Sequence, residues 1–457
     1  MKEILSRDNR CYRLGLNRAR IALLLLLLLG WSSLFAQDQS EILNKIAEMQ
    51  KQIQQQQQQL LELQQRLTEQ QQNTVQIVQQ EVKTAVADSA SASASDQPLL
   101  SLGKGIEGLS LKGDMRLRYE YINTDFEEDD DRRSKSRFRH RVRLGGLWKN
   151  PTEDWEIGLG LEFGSGDGTS ANDSWNKSSV WESGDVYLDY AYARHRLGDS
   201  GLSLTVGQQK NPWQCSMLTF DGDLRPTGAT LGYQKDNIFA TLGAYNIRSD
   251  AKINGDSQSL ANMYGGQVGF TWENDSLHAL LALGFFYYDS NTGEYMLEAE
   301  DYKYQIGTAY AEMGSKIGAV DVKGFAELAV NFAADNDFSQ ATYSAVSKNP
   351  PVDYDAEDND LGWTLGLEAK YGKFKAKYAY AYIGGESVPY FMSDSDFGSA
   401  LQSKGSTNVQ GHVLGLSYAL SKNCSLGGTV MLTDYIEAPE DHDDNGLLYQ
   451  IDLSYKF

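Results

Sequence analysis

The stretch "RFRHRVRL", residues 137–144, carries four arginines at every second position. Phe138, Val142 and Leu144 stand between the arginines, together with His140. Because successive side chains of a β-strand point to opposite faces, this spacing predicts a strand with one basic face and one mostly apolar face. An arm that binds nucleic acid is disfavoured, since the whole chain carries a formal net charge of −21.

The same alternation recurs from residue 107 to the end of the sequence. In "LSLKGDMRLRYEY", residues 109–121, the odd positions other than Gly113 are apolar or aromatic and most even positions are charged. A soluble sandwich shows the same pattern, so alternation alone predicts β-structure and not its architecture. Sixteen strands are predicted, near residues 109–121, 137–148, 154–163, 185–195, 202–210, 227–234, 237–247, 262–272, 277–288, 302–313, 319–332, 361–371, 373–382, 408–419, 424–435 and 447–457.

The lengths of the connections between these segments distinguish a soluble sandwich from a transmembrane barrel. Short joins such as "KNPTED", "GDSG" and "KDN" alternate with long polar ones such as "NTDFEEDDDRRSK" and "GSGDGTSANDSWNKSSVWES". An up-and-down transmembrane barrel has short periplasmic turns and long outer loops in this order. The sequence therefore predicts an all-β transmembrane barrel of about 16 antiparallel strands over residues 107–457, preceded by an α-helical coiled coil.

Residues 1–36 have the features of a secretory signal peptide. Several arginines precede the apolar run Ile21–Gly30, which contains seven consecutive leucines and is too short to span a membrane as a helix. The cleavage-like stretch "WSSLFAQ" follows the run. The chain is therefore expected to be exported, with an uncleaved anchor as the alternative.

Residues 38–87 are rich in glutamine, glutamate and leucine and contain neither proline nor glycine. Their apolar side chains alternate spacings of four and three, which predicts a periplasmic, oligomerising coiled coil. A disordered glutamine-rich tract is the alternative, and the seam does not choose between trimer and dimer. Residues 88–106 are predicted to be a flexible linker. The seam consists of Ile42, Ile46, Met49, Ile53, Leu60, Leu63 and Leu67.

Two parts of the sequence resemble known proteins. The final stretch "LLYQIDLSYKF", with Tyr455 and Phe457, resembles the C-terminal signal that the barrel-assembly machinery of Gram-negative bacteria recognises. "LSLKGDMRLRYEY" and "VGQQKNPWQCSMLTFDGDLRPTGATLGY" resemble the Gram-negative family known as putative porins, above all in residues 211–213 and 221–228. The resemblance implies an outer-membrane channel and carries no substrate.

The face of each strand follows from the cost of charge in lipid. A lipid-facing arginine at the bilayer midplane costs about 2 to 4 kcal/mol, so the four alternating arginines are expected to face the lumen. Two roles stay open: a basic wall that biases the pore toward anions, or a brace that satisfies acidic neighbours. The predicted lumen residues are Arg116, Arg118, Arg137, Arg139, Arg141, Arg143, Glu156, Glu162, Asp185, Asp189, Lys373, Lys375 and Lys377.

"KNPWQCSMLTFDGDLRP", residues 210–226, is the third outer loop by position. We expect it to fold inward and constrict the pore with Asp221, Asp223 and Arg225; an exposed loop whose proline and glycine shape turns is the alternative.

Other chemistry has little support in the sequence. The acidic outer segments such as "DFEEDDDRR" are read as solvated surface rather than as Ca²⁺ or Mg²⁺ sites. Cys215 and Cys424 are expected at opposite ends of the barrel, so no disulfide is predicted. No metal site, cofactor or catalytic constellation is expected.

The sequence thus favours an outer-membrane porin that lets small hydrophilic solutes diffuse passively. The expected partners are outer-membrane lipid, two further copies in a homotrimer, and a periplasmic or peptidoglycan partner of the coiled coil. The alternative is a structural tether, in which a narrow or plugged barrel anchors the coiled coil. Solute-specific uptake of phosphate or a sugar is a third possibility.

Overall fold

The computed structural model describes residues 108–457, apart from 126–132, 151, 167, 182–183, 254–256, 275, 293–301, 339–353, 402–405 and 439–444. The predicted signal peptide, coiled coil and linker, residues 1–36, 38–87 and 88–106, lie outside the described residues. Within the described part of the chain, no helix is long and apolar enough to cross a membrane.

The described residues form strands joined by turns, loops and short 3₁₀-helices. The 3₁₀-helices are Gly198–Ser200, Asn336–Phe338, Glu357–Asn359 and Ser399–Leu401. The strands are β1 Leu109–Asp125, β2 Arg133–Lys149, β3 Trp155–Gly164, β4 Asp173–Ser174, β5 Asp185–Arg196, β6 Leu202–Gln208, β7 Thr227–Lys235, β8 Ile238–Ile253, β9 Ser257–Glu273, β10 Leu277–Tyr288, β11 Tyr304–Ile317, β12 Val320–Asn331, β13 Leu361–Tyr371, β14 Phe374–Ile383, β15 Val409–Ala419, β16 Cys424–Tyr435 and β17 Asn445–Lys456.

The sheet closes on itself. Successive wall strands pair antiparallel, and β1 pairs with β17 so that Arg118 lies opposite Asp452. The two-residue β4 pairs only with β2, which leaves a closed ring of 16 strands. This closure confirms the predicted antiparallel barrel.

Parts of two expected outer loops are paired strands instead. β1 and β2 continue their pairing out to Thr124 and Arg133, and β8 and β9 continue theirs out to Ile253 and Ser257. The polar composition of these segments predicted loops, but main-chain pairing satisfies backbone N–H and C=O groups whatever the side chains are. The strands therefore extend further, and the two joins are shorter, than the sequence predicted.

Apolar side chains cover the outer face of the barrel. Leu111 is 77% exposed and Leu242 is 59% exposed, as befits side chains that meet lipid rather than water. Aromatic rings pack on one another on this face, including Trp363 on Tyr382 and Tyr119 on Phe138. Such outward rings are typical of the aromatic girdles of membrane barrels.

Two of the histidines on the outer face, His140 and His412, each have a polar partner. The indole N–H of Trp175 donates to Nδ1 of His140 at 2.9 Å. Nδ1 of His412 lies 2.9 Å from the hydroxyl of Tyr378. These hydrogen bonds satisfy part of the polar capacity that would otherwise face lipid unpaired.

The interior of the barrel contains a core of buried apolar side chains. It joins the inner faces of strands between β8 and β17 to two long loops. These are residues 209–226 and the described residues 384–401 and 406–408, which we call loop 384–408. The buried members of this cluster are Trp213, Leu218, Phe220, Tyr245, Met263, Phe286, Tyr288, Tyr302, Tyr304, Ile306, Ala329, Ala379, Ala381, Ile383, Val388, Met392, Phe397, Leu401, Val409, Val413, Met431 and Leu448. Both loops therefore fold into the interior.

Candidate functional site

The arginines of β1 and β2 stand directly opposite one another. The pairing sets Arg116 against Arg141 and Arg118 against Arg139. Like charges opposite each other on one face destabilise a sheet, so this arrangement needs acidic partners. We call the six residues Arg116, Arg118, Arg137, Arg139, Arg141 and Arg143 the arginine ladder.

Glu120 satisfies one end of the ladder. Its side chain is fully buried, and its carboxylate accepts from Nε of Arg137 at 2.5 Å and from Nη1 of Arg139 at 3.3 Å. The amide of Gln450 donates to the same carboxylate at 3.1 Å. A buried carboxylate is stable in such a place because several donors and opposite charges surround it.

Asp114 satisfies the other end. Its two oxygens accept from Arg141 at 2.9 Å and from Arg143 at 3.0 Å. Asp223, which belongs to loop 209–226, lies 3.5 Å from Arg141 and 3.3 Å from Arg143. Each of these arginines therefore contacts one wall carboxylate and one loop carboxylate.

The two ladder arginines on β1, Arg116 and Arg118, differ in their partners. Arg118 makes a two-point contact with Asp452, at 2.7 and 2.9 Å, and a third hydrogen bond with Asp396 at 3.0 Å. Arg116 donates instead to the side-chain oxygen of Asn172, at 2.6 and 3.1 Å. Among the described residues, Arg116 is the ladder member that contacts no carboxylate within ion-pair distance.

The predicted acidic neighbours lie on β3 and β5. Glu156 accepts from Arg194 at 3.2 Å, and Glu162 stands opposite Arg143 in the register. The pairing of β3 with β5 has a bulge at Asp189 of β5, and both Asp189 and the following Tyr190 are buried. Such a bulge breaks strict alternation, which is why a period-two reading does not place both residues.

Asp185 lies at the start of β5 and is exposed. Its carboxylate accepts from the hydroxyl of Tyr187 at 3.2 Å.

The three predicted lysines have different neighbours. Lys375 lies 2.8 Å from Glu368, and the ammonium of Lys377 is 5.6 Å from the ring centre of Phe325. Lys373 precedes β14, in its turn, with its ammonium 5.8 Å from the ring centre of Tyr418.

Loop 209–226 reaches the wall opposite the ladder. The N–H and hydroxyl of Ser216 donate to the carboxylate of Glu327 on β12, at 2.6 and 2.5 Å. The hydroxyl of Thr219 donates to the other oxygen of that carboxylate. On β9, Gln267 accepts from the N–H of Gln214 at 2.8 Å. The loop is therefore anchored far from β6 and β7, the strands that it connects.

The other end of this loop holds the predicted constriction residues. Arg225 donates to Asp189 on β5 at 2.6 Å, and Asp223 faces the ladder as described above. Asp221 points to loop 384–408, where its carboxylate accepts from the N–H of Ser395 at 2.9 Å. Loop 209–226 thus crosses the interior from β12 to the ladder.

Loop 384–408 was not singled out in the sequence, yet it contacts both the ladder and loop 209–226. The N–H of Asp221 donates to the carbonyl of Met392 at 2.6 Å, and the N–H of Asp394 donates to the carbonyl of Met217 at 3.0 Å. Its Asp396 pairs with Arg118. The sequence signal was an apolar content, "VPYFM" at 388–392, that a solvated outer loop does not need.

The junction between the two loops contains neighbouring carboxyl groups. Burial, together with the nearby Asp396 and Asp221, raises the pKa of Asp394 to about 7, although N–H groups of Asp396 and Phe397 oppose the shift. Burial also raises the pKa of Asp396, but Arg118, Gln450 and Arg139 together outweigh it and hold the pKa of that carboxyl below its ordinary value. Near neutral pH, the junction therefore changes its charge through Asp394.

Within the described residues, no group of three or more histidine, cysteine or acidic side chains is placed to hold a metal ion. The acidic segments at 126–132 and 439–444 lie outside those residues.

Comparisons with known proteins point in one direction. A family model described as "Putative porin" matches residues 124–313 and 320–457. OprB of Pseudomonas putida, solved at high pH, has a TM-score of 0.51 at 11% identity, over 78% of this chain and 96% of that chain. OmpF of Salmonella typhi, in complex with daunomycin, has a TM-score of 0.45 at 12% identity, over 76% and 97% of the two chains. No curated protein matches the chain. The likeness to OprB supports the fold.

Proposed function

The chain belongs to the "Putative porin" family, and on that premise we propose that it forms a water-filled channel through which small hydrophilic solutes and ions cross the outer membrane. Transport is passive diffusion down a gradient, with pore width and charge selecting the solutes. The closed barrel supports this proposal, because it combines an apolar outer face with an inner face that holds charged groups.

The observation that carries the proposal is the ladder facing two infolded loops inside one barrel. Asp223 and Asp396 come from different loops, and both contact ladder arginines. Solutes that pass between the loops and the wall meet this mixed cationic and anionic lining. We propose that loops 209–226 and 384–408 together form the constriction, with the predicted lumen residues lining the path.

The charge balance of the ladder predicts weak rather than strong selectivity. Five of its six arginines contact carboxylates, which are those of Asp114, Glu120, Asp223, Asp396 and Asp452. The excess of one positive charge favours anions slightly, and most of the ladder braces the wall. Both roles left open by the sequence are therefore part of the proposal.

Arg116→Gln tests the selectivity. Because Arg116 contacts Asn172 rather than a carboxylate, the substitution removes a positive charge without leaving an acid unpaired. We expect the reversal potential of the full chain in planar bilayers, measured across a KCl gradient, to move toward cation preference. Arg196→Gln, at the exposed end of β5, is the matched control. Equal reversal potentials for native protein and Arg116→Gln would remove the selectivity claim.

For the assembly, we propose a homotrimer in outer-membrane lipid, inserted by the barrel-assembly machinery. Cross-linking of the full chain in detergent tests the homotrimer. A band at the mass of three chains supports it, and a largest cross-linked species of two chains contradicts it.

A structural tether is the second candidate, and the apolar core inside the barrel favours it. Buried rings such as Tyr288 and Phe397 fill part of the interior where a wide pore would hold water. In this role, the predicted coiled coil binds a periplasmic or peptidoglycan partner. A folded barrel that carries no current would support the tether over the channel.

A further inference from the structure

A charged recess lies in the inner wall beside the start of loop 209–226. It measures about 430 Å³ and is bounded by β1, β2, β17 and residues of β5. Its charged side chains are Lys112, Arg141, Arg143, Lys210 and Lys456 against Asp114 and Asp189. Five cations and two carboxylates leave an excess of positive charge.

The arginines and acids of the recess are already paired. Asp114 bridges Arg141 and Arg143, and Asp189 accepts from Arg225 at 2.6 Å. Their charges therefore largely cancel, and the net charge of the recess resides on its lysines.

The three lysines have no such partners. Lys112, Lys210 and Lys456 contact no carboxylate within ion-pair distance in the part of the chain that the structure describes. The ammonium of Lys210 lies 5.4 Å from the ring centre of Tyr190. Burial lowers the pKa of Lys210, and the positive charge of Arg225 lowers it further. The recess is thus a region of uncompensated positive potential.

A further donor is unused at the same place. The Nε–H of Arg141 is buried and has no acceptor among the described residues. Buried donors normally have an acceptor, and an anion in the recess would bring oxygens within reach of this region. Lysine ammonium groups bind oxyanions as point charges, and partial burial strengthens that attraction.

We propose that this recess binds a small multivalent oxyanion that passes through the barrel. The inference rests on the proposed channel, and it assigns the channel a class of solute. Because the charged residues lie on the inner face, the ligand is a dissolved solute rather than a lipid headgroup. Binding is weak enough for release, as conduction requires, and it makes the flux of such anions saturable.

Binding of radiolabelled inorganic phosphate to the full chain in detergent tests the proposal without any current. Equilibrium dialysis of the native protein should give saturable binding. The double variant Lys210→Gln/Lys456→Gln should bind phosphate about tenfold more weakly, because the loss of each lysine charge lowers the affinity by a factor of about three. Lys235→Gln, at the exposed end of β7, is the matched control and should bind as the native protein does.

Lys210→Arg/Lys456→Arg keeps both charges and should retain binding, which separates lost charge from misfolding. If the native protein does not bind phosphate, or if Lys235→Gln loses as much binding as the double variant, the recess is not an oxyanion site. In planar bilayers, phosphate should reduce the chloride current saturably. A protein that conducts but does not bind phosphate contradicts only the proposed oxyanion site. A barrel that binds phosphate but carries no current supports the oxyanion site and contradicts the proposed channel.

Discussion

Glu327→Ala should release loop 209–226 from the far wall of the barrel. The Glu327 carboxylate is buried and accepts three hydrogen bonds, two from Ser216 and one from Thr219. These bonds tie the loop to β12, across the interior from the ladder. The substitution leaves the Asp223 and Arg225 contacts in place, so it frees the loop at one end only.

The size of the effect follows from the three bonds. Each hydrogen bond to a charged group contributes about 1.5 to 3 kcal/mol, but the buried carboxylate also costs solvation free energy that the variant recovers. A net loss of about 3 kcal/mol for the closed loop raises its open fraction about 100-fold. That change is large enough for a rate measurement.

Cys215 reports the opening, because its thiol lies in the anchored part of the loop. Burial raises the pKa of this thiol, so it should react slowly with maleimide while the loop is closed. Replacing Cys11 and Cys424 with serine leaves Cys215 as the single thiol of the sequence. Glu327→Ala in this background should label about 100-fold faster.

Glu312→Ala is the matched control. Glu312 also carries its carboxylate on the inner wall, where it pairs with Lys323 at 3.0 Å. It has no hydrogen bond to loop 209–226, so labelling of Cys215 should stay at the native rate. Equal labelling rates for native protein and Glu327→Ala would refute the anchoring of the loop by Glu327.

Three further substitutions test other parts of the structure. The raised pKa of Asp394 means that its protonated form stabilises the loop junction, fully below its ordinary value and progressively less as pH rises through about 7. Native current should therefore fluctuate more at pH 8.5 than at 5.5, and Asp394→Asn should remove that difference. Trp175→Phe leaves His140 without its donor and should cost about 1 kcal/mol in urea unfolding, with recovery in Trp175→Phe/His140→Leu. Glu120→Gln weakens the pairing of Arg137 and should cost about 2 to 4 kcal/mol in the same assay; no loss would contradict the bracing role.

The barrel and the grouping of the ladder follow from local periodicity. A strand alternates its faces at every residue, so a row such as Arg137, Arg139 and Arg141 can be assigned to one face without tertiary information. Lys373 shows the limit of this reasoning, because the turn before β14 includes a residue that the pattern assigned to the strand. The bulge at Asp189 shows the same limit within a strand.

The loop contacts could not be read from the sequence in the same way. Arg118 meets Asp396, which lies 278 positions further along the chain, and neither periodicity nor spacing encodes such a pair. The third outer loop was found because its position in the strand order is countable. Loop 384–408 was missed because polar residues surround its apolar side chains, and the polar residues dominated the interpretation.

Single-channel recording of the purified full chain in planar bilayers tests the central claim most directly. The folded barrel is verified beforehand by its resistance to heat in mild detergent. A water-filled channel constricted by two loops predicts discrete current steps in KCl, with larger steps after deletion of residues 214–224. A verified barrel that gives no steps would contradict the channel and favour the tether.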